Sequence, residues 1–158
     1  MKKIIATSLV LMGLMFVFAR DVSAQTDLTW NAGVITDKRF KFDPFLWTNG
    51  FTLDAYLGPR LSISPELYMV LHNFDFGAFI LAPGVLLNYQ SFGFFLGGGI
   101  TKWWMLGSKV EGAPSTDLMC KLNFGLVGRD IRLTFFVITP FQNFFKDPWF
   151  GITFGFYL

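Results

Sequence analysis

Phe51-Thr52-Leu53-Asp54-Ala55-Tyr56-Leu57, the break Gly58-Pro59-Arg60, and then Leu61-Ser62-Ile63-Ser64-Pro65-Glu66-Leu67-Tyr68 form the stretch from which the rest of the chain is read. Before the break, Phe51, Leu53, Ala55 and Leu57 share one parity, and Thr52, Asp54, Tyr56 and Gly58 share the other. After it, Leu61, Ile63, Pro65, Leu67, Met69 and Leu71 oppose Ser62, Ser64, Glu66 and Tyr68. Side chains alternate across a β-strand with a period of two, so each half reads as a strand between two different environments. The short Gly-Pro-Arg break between them reads as a hairpin turn.

The same signature recurs outward from there. Leu118, Cys120, Leu122, Phe124 and Leu126 oppose Asp117, Lys121, Asn123 and Gly125, and Phe150, Ile152, Phe154, Phe156 and Leu158 oppose Gly151, Thr153, Gly155 and Tyr157. One face carries no charge in any of the four segments. Two further short breaks fall at Asn88-Tyr89-Gln90-Ser91 and Gly128-Arg129-Asp130, and longer irregular stretches run over 37–45, 72–76, 107–116 and 140–148. The breaks predict eight strands, at 28–37, 46–58, 60–72, 76–89, 91–106, 116–128, 131–140 and 148–158. From the N-terminus they run long, short, long, short, long, short, long. That is the pattern of an all-β, eight-stranded antiparallel up-and-down transmembrane β-barrel, with short turns at the periplasmic end and longer loops outside.

Composition decides which face is outward. Hydrophobic residues make up 53% of the 158, aromatics 19% and charged residues 15%, with 21 phenylalanines. A soluble lipocalin-like barrel would turn a strongly charged face to water, and soluble domains average about 25% charged residues. Here the polar face is mostly Gly, Ser, Thr, Asn and Tyr with isolated charges, which suits the filled lumen of a small barrel. The apolar face is then expected to meet lipid. A helical membrane bundle is the other architecture that can span a bilayer. The apolar run from Phe76 to Leu106 is broken by Pro83, Gly84, Gly93 and Gly97-Gly98-Gly99, and its abundant Phe favours strands.

At the start of the chain, Lys2-Lys3 precede an apolar run from Ile4 to Ala19, followed by Val22-Ser23-Ala24. This predicts a secretory signal over 1–24 cleaved before Gln25, and a barrel domain over 25–158. The run is shorter than the ~20 residues of a membrane-spanning helix. The net charge of +2, without a Lys/Arg stripe, points away from nucleic acid. Cys120, the only cysteine, allows no internal disulfide and no CxxC metal pair.

Few residues suggest chemistry. His72, the only histidine, shares its face with Ser62 and Ser64, which lie well down the strand, and it reads as a rim residue. Gly97-Gly98-Gly99 lacks the Gly-Lys-Ser/Thr of a phosphate loop. Its expected role is steric, with Gly93, Gly97 and Gly99 leaving lumen space for larger neighbours. No catalytic, metal or cofactor residue is assigned. Asp54, Glu66, Lys121 and Arg132 fall on the inward parity as two acids and two bases, and are expected to pair as a lumen charge cluster, Glu66 with Lys121 and, lower down, Asp54 with Arg132. Trp47, Trp104 and Phe150 at one end, and Trp30, Tyr89 and Phe92 at the other, form two expected aromatic girdles. Phe141, Phe144, Phe145 and Trp149 gather around the last long connection, as girdle or as a binding patch.

On three features, the chain resembles the small outer-membrane β-barrel proteins, the group that includes the opacity-type and outer membrane protein beta-barrel families. These are the signal Lys2-Lys3…Val22-Ser23-Ala24, the turn segment Gly58-Pro59-Arg60-Leu61-Ser62-Ile63-Ser64-Pro65, and the alternating last strand. The pattern covers the whole of 28–158 and contains no specific motif. Members often end in Phe, whereas this sequence ends Phe156-Tyr157-Leu158. The resemblance implies a monomeric, non-enzymatic barrel in a bacterial outer membrane, with a structural, surface-interaction or narrow-pore role. Its implied partners are outer-membrane lipid and, during insertion, the barrel-assembly machinery; any surface ligand is unspecified. The alternative is a lipid A acyl-chain hydrolase or transferase. The His-x-Ser-Asn signature associated with the deacylases is replaced here by His72-Asn73-Phe74-Asp75.

Overall fold

Nine extended segments build the wall: β1 (Thr26–Thr36), β2 (Leu46–Tyr56), β3 (Leu61–His72), β4 (Asp75–Ser91), β5 (Phe94–Lys102), β6 (Trp104–Gly107), β7 (Leu118–Val127), β8 (Ile131–Pro140) and β9 (Trp149–Tyr157). The computed structural model describes residues 25–37, 39–40, 46–72, 75–107, 118–141 and 147–158, with 75–78 and 107 described by backbone alone. The expected signal segment, most of the long connections, and Phe144 and Phe145 lie outside the described residues.

β5 and β6 are one wall strand. Both pair with β4 in a single register, Gly84 opposite Thr101 and Leu81 opposite Trp104. The ladder lapses between them opposite Pro83, which has no N–H to donate. The Pro83 carbonyl instead accepts a hydrogen bond from Thr101 Oγ1 at 3.0 Å. The expected strand over 91–106 is therefore real but interrupted at Trp103, and the closed antiparallel barrel has eight strands. The run from 76 to 106 is strand, so the helical alternative does not apply.

Closure follows from the registers. The pairing passes from Thr26 through Ala55, Ile63, Leu87, Gly98, Leu122, Val137 and Phe150, and returns to β1 at Thr36, ten residues from where it began. Eight strands with that stagger tilt about 40° from the axis and enclose a backbone cylinder of roughly 8 Å radius. At the β1–β9 seam, Leu158 N donates to Leu28 O at 2.9 Å, and on the other side of β9 Tyr157 N donates to Asp130 O at 3.2 Å.

One turn lies away from its expected place. β4 continues through Asn88-Tyr89-Gln90-Ser91, and the chain reverses over Phe92-Gly93. Both turn residues have positive φ, 50° and 79°, as a two-residue type I′ hairpin requires. Gly93 takes that backbone freely; Phe92 does not. Gly93 is thus a turn residue and not a lumen spacer, and Asn88 is a lumen residue and not a turn residue. Gly97 does face inward, and a Cβ there would fall on Asn88 Oδ1 and lie 2.6 Å from Asn123 Oδ1.

The two faces of the wall differ as the alternation implies. Outward lie Phe51, Ile63, Leu87, Leu96, Phe124 and Phe154, each exposed. From β1 to β9 the described outward positions carry no charge except Lys102, near the end of β5. The lumen departs from expectation in its upper half. Around the long-connection end it is filled by an apolar cluster that includes Leu46, Val70, Ile80, Trp103, Met119 and Ile138, with Trp149 packed against it. Polar residues are concentrated in the half nearer the short turns, with Thr48 and Thr101 buried beside the apolar cluster. Trp149, expected in the girdle or a surface patch, points inward.

Gly97→Ala should destabilise the barrel by about 2 kcal/mol, because the methyl displaces two buried amides. Gly98→Ala should fall within about 0.5 kcal/mol, because its Cβ would meet the rotatable Leu122 side chain at 3.1 Å. Urea unfolding of the vesicle-inserted protein measures both, and equal costs would contradict the inward placement of Gly97.

Candidate functional site

In a lumen about 8 Å in radius, polar side chains must satisfy one another. Asp54, Glu66, Lys121 and Arg132 all point inward from β2, β3, β7 and β8, and are 2%, 4%, 3% and 5% exposed. They form two ion pairs. Lys121 Nζ donates to both carboxylate oxygens of Glu66, each at 2.8 Å. Arg132 Nη1 donates to Asp54 Oδ2 at 2.6 Å. Both cations also lie over aromatic faces: Lys121 Nζ is 4.6 Å from the ring centres of Tyr68 and Phe136, and the Arg132 guanidinium is 4.0 Å from that of Phe95. Such contacts replace part of the hydration the cations lose on burial.

The lower pair anchors a directed chain of hydrogen bonds. Asn123 Nδ2 donates to Asn88 Oδ1 at 3.1 Å, Asn88 Nδ2 donates to Ser64 Oγ at 2.7 Å, and Ser64 Oγ donates to Asp54 Oδ1. Asn88 and Ser64 each receive a hydrogen bond and pass one on towards the carboxylate, whose second oxygen holds Arg132. Nearby, Asn31 Nδ2 donates to Thr52 Oγ1 at 3.1 Å. Parity locates Asn88 and Asn123 on the lumen face, but only the three-dimensional register shows that the chain ends at Asp54.

Three zones therefore stack along the axis. An open vestibule of about 910 Å³ at the short-turn end is lined by Asp27, Tyr56, Gln90, Arg129 and Tyr157 among others. The polar network lies above it. The apolar cluster lies above that, and the void between the Glu66–Lys121 pair and Trp103 measures only about 10 Å³, about one probe sphere. The lumen does not form a continuous conduit through the described residues.

The remaining candidates are placed as follows. Ser62 and Ser64 are buried near the vestibule, Ser64 against Asp54, while His72 sits at the far end of β3 where the register with β4 shifts. They do not meet. Among the described residues no group of His, Cys, Asp and Glu is arranged to hold a metal ion. On the outer wall, Tyr89 receives a hydrogen bond from Arg60 Nη1 at 3.3 Å, and Phe92 stands exposed at the turn tip. Phe150 stacks on Phe40 with ring centres 5.2 Å apart. Trp47 and Trp104 face outward near the long-connection end. Trp30 stands four residues into β1, stacked on Phe156 at 5.9 Å, with its Nε1 donating to Asn49 Oδ1 at 3.0 Å. Sequence reasoning missed Asn49, because one polar residue on an otherwise apolar parity does not disturb the alternation.

Closure, stagger, filled lumen and apolar exterior define the class: an eight-stranded up-and-down barrel with the architecture of small transmembrane barrels. Among solved structures the fold is shared with a de novo designed transmembrane β-barrel, at TM-score 0.57 and 10% identity over 84% of this chain and 95% of that one. It is also shared with the N-terminal β-barrel domain of OprF from Pseudomonas aeruginosa, at TM-score 0.52 and 10% identity over 86% of this chain and 100% of that domain. At this identity the likeness is one of fold. No protein-family model matches the chain, and no curated protein matches it by sequence.

Removing one member of a buried ion pair leaves the other uncompensated. Glu66→Gln should cost roughly 3 kcal/mol, and Glu66→Gln with Lys121→Met should recover part of that loss. A double-mutant cycle in urea reads the coupling, and independent, additive effects would show that the pair does not act as a unit.

Proposed function

We propose that the chain is exported by a signal cleaved before Gln25 and inserts into a bacterial outer membrane as a non-enzymatic barrel with a structural or surface-interaction role. One observation carries this reading: the wall has a nearly charge-free apolar outside and a polar, ion-paired inside. That is the inverse of a soluble domain, and it suits a barrel whose solvent is hydrocarbon. The short turns then face the periplasm and the long connections face outward. The relationship to opacity-type barrels rests on the sequence pattern alone.

Within this reading a closed barrel is favoured over a narrow pore. The apolar cluster from Leu46 to Ile138 occupies the axis above the ion pairs, and a hydrated ion crossing it would have to shed its water where few polar groups could replace it. The non-enzymatic reading is supported by the commitment of the lumen's four charges to internal partners. A surface role would then fall to the long connections.

Fractionation of the native envelope should recover the mature protein, beginning at Gln25, with the outer membrane. An epitope inserted at Gly112 should be reached by antibody on intact cells; access only after permeabilisation would invert the topology. In planar bilayers the purified barrel should give no discrete conductance steps, and regular single-channel openings would replace the closed-barrel reading with the pore.

A further inference from the structure

Asn49 is a side-chain amide on the outer wall. It shares its face of β2 with Trp47 and Phe51, and two residues of tilted strand put it about 5 Å below Trp47 along the barrel axis. Its row across the wall is Phe154, Ala32, Asn49 and Met69, all apolar apart from itself. If the barrel spans a membrane as proposed above, this amide lies inside the hydrocarbon, below the level marked by Trp47.

Its orientation is fixed. Trp30 Nε1 can only donate, so the Asn49 atom it meets at 3.0 Å is the oxygen. The two N–H groups of Nδ2 then point away from Trp30, and among the described residues no acceptor meets them. A polar group left unpaired in hydrocarbon is strongly disfavoured, and acyl chains offer it nothing. The oxygen, meanwhile, keeps a second lone pair. A primary amide with one free donor end and one free acceptor position is complementary to itself.

We infer that Asn49 marks a homodimer interface in the membrane, where the Asn49 amides of two copies of this chain pair across a two-fold axis parallel to the bilayer normal. That axis places both amides at one depth without further adjustment, as an isologous contact requires. Each Nδ2 then donates to the partner's Oδ1 while Trp30 holds the amide plane in place. Ala32, directly beside Asn49 on β1, is small enough to let the second wall approach. The inference rests on the membrane reading and replaces the monomer expected from the sequence.

The test uses the full-length mature protein folded into phosphatidylcholine vesicles. Flotation with the vesicles and the gel-mobility shift of unboiled samples report insertion and folding for every variant. Asn49→Cys in a Cys120→Ser background should cross-link to a disulfide dimer on oxidation. The native Cys120, on the outer face of β7 and half-way round the barrel from β2, should not. In energy-transfer measurements between copies labelled at Arg129→Cys, also in the Cys120→Ser background, Asn49→Leu should weaken association about tenfold, the scale of two hydrogen bonds within a membrane. Equal cross-linking at both positions, association unaffected by Asn49→Leu, or a wild-type protein that floats folded but stays monomeric would each overturn the dimer and leave the membrane reading standing. A protein that does not float at all would overturn both.

Discussion

Closure of the wall with a ten-residue stagger is the constraint from which the rest of the structure follows. It pairs β1 with β9 and leaves the sheet without an open edge, and it fixes the width of the space within. A cylinder of roughly 8 Å radius holds side chains and little else. Every inward residue therefore meets other inward residues, whatever lies outside the barrel. Even the prolines fit this frame: Pro65 and Pro83 lie within strands, and the Pro83 carbonyl finds a side-chain donor in Thr101.

Within that space two strategies meet. Near the short turns the filling is polar, and a chain of hydrogen bonds from Asn123 through Asn88 and Ser64 to Asp54 and Arg132 ties it together, although Asn123 Oδ1 and Arg132 Nε are buried without a partner among the described residues. Gly97 makes room for the two asparagines, so the absence of a side chain on β5 is part of the network's geometry. Nearer the long connections the filling is mostly apolar and fills the lumen by packing, with Trp103 Nε1 buried in it without a partner among the described residues. The boundary runs through Tyr68 and Phe136, whose rings face Lys121 on one side and the apolar cluster on the other. Among the described residues, a vestibule opens at the short-turn end and an apolar cluster fills the lumen towards the other.

The outer wall obeys the opposite rule. In the proposed membrane its solvent would offer no hydrogen bonds, so one amide there carries more information than all the leucines around it. Trp30 satisfies the oxygen of Asn49 and thereby aims its donors outward. The lumen pairs its four buried charges internally; at Asn49 the wall leaves an amide donor end facing out, and this is where a second copy of the chain is inferred to fit.

The number of strands, their faces and the alternation of short and long breaks are local properties, set by a period of two and by turn residues, and the sequence by itself determined them. It also determined that Asp54, Glu66, Lys121 and Arg132 share the inside, because parity is counted along each strand alone. The turn at Phe92-Gly93 was hidden because Asn88-Tyr89-Gln90-Ser91 carries stronger turn composition, although Asn88 is needed in the lumen network. The apolar seal was hidden because the inward face was characterised by its Gly, Ser, Thr, Asn and Tyr, although parity places Val70 and Met119 on that same face. Which charges meet, where the polar filling gives way to the apolar, and that Trp30 reaches Asn49 from nineteen residues away were decided only by the tertiary structure. Each depends on the stagger between strands, and the stagger exists only once the sheet has closed on itself.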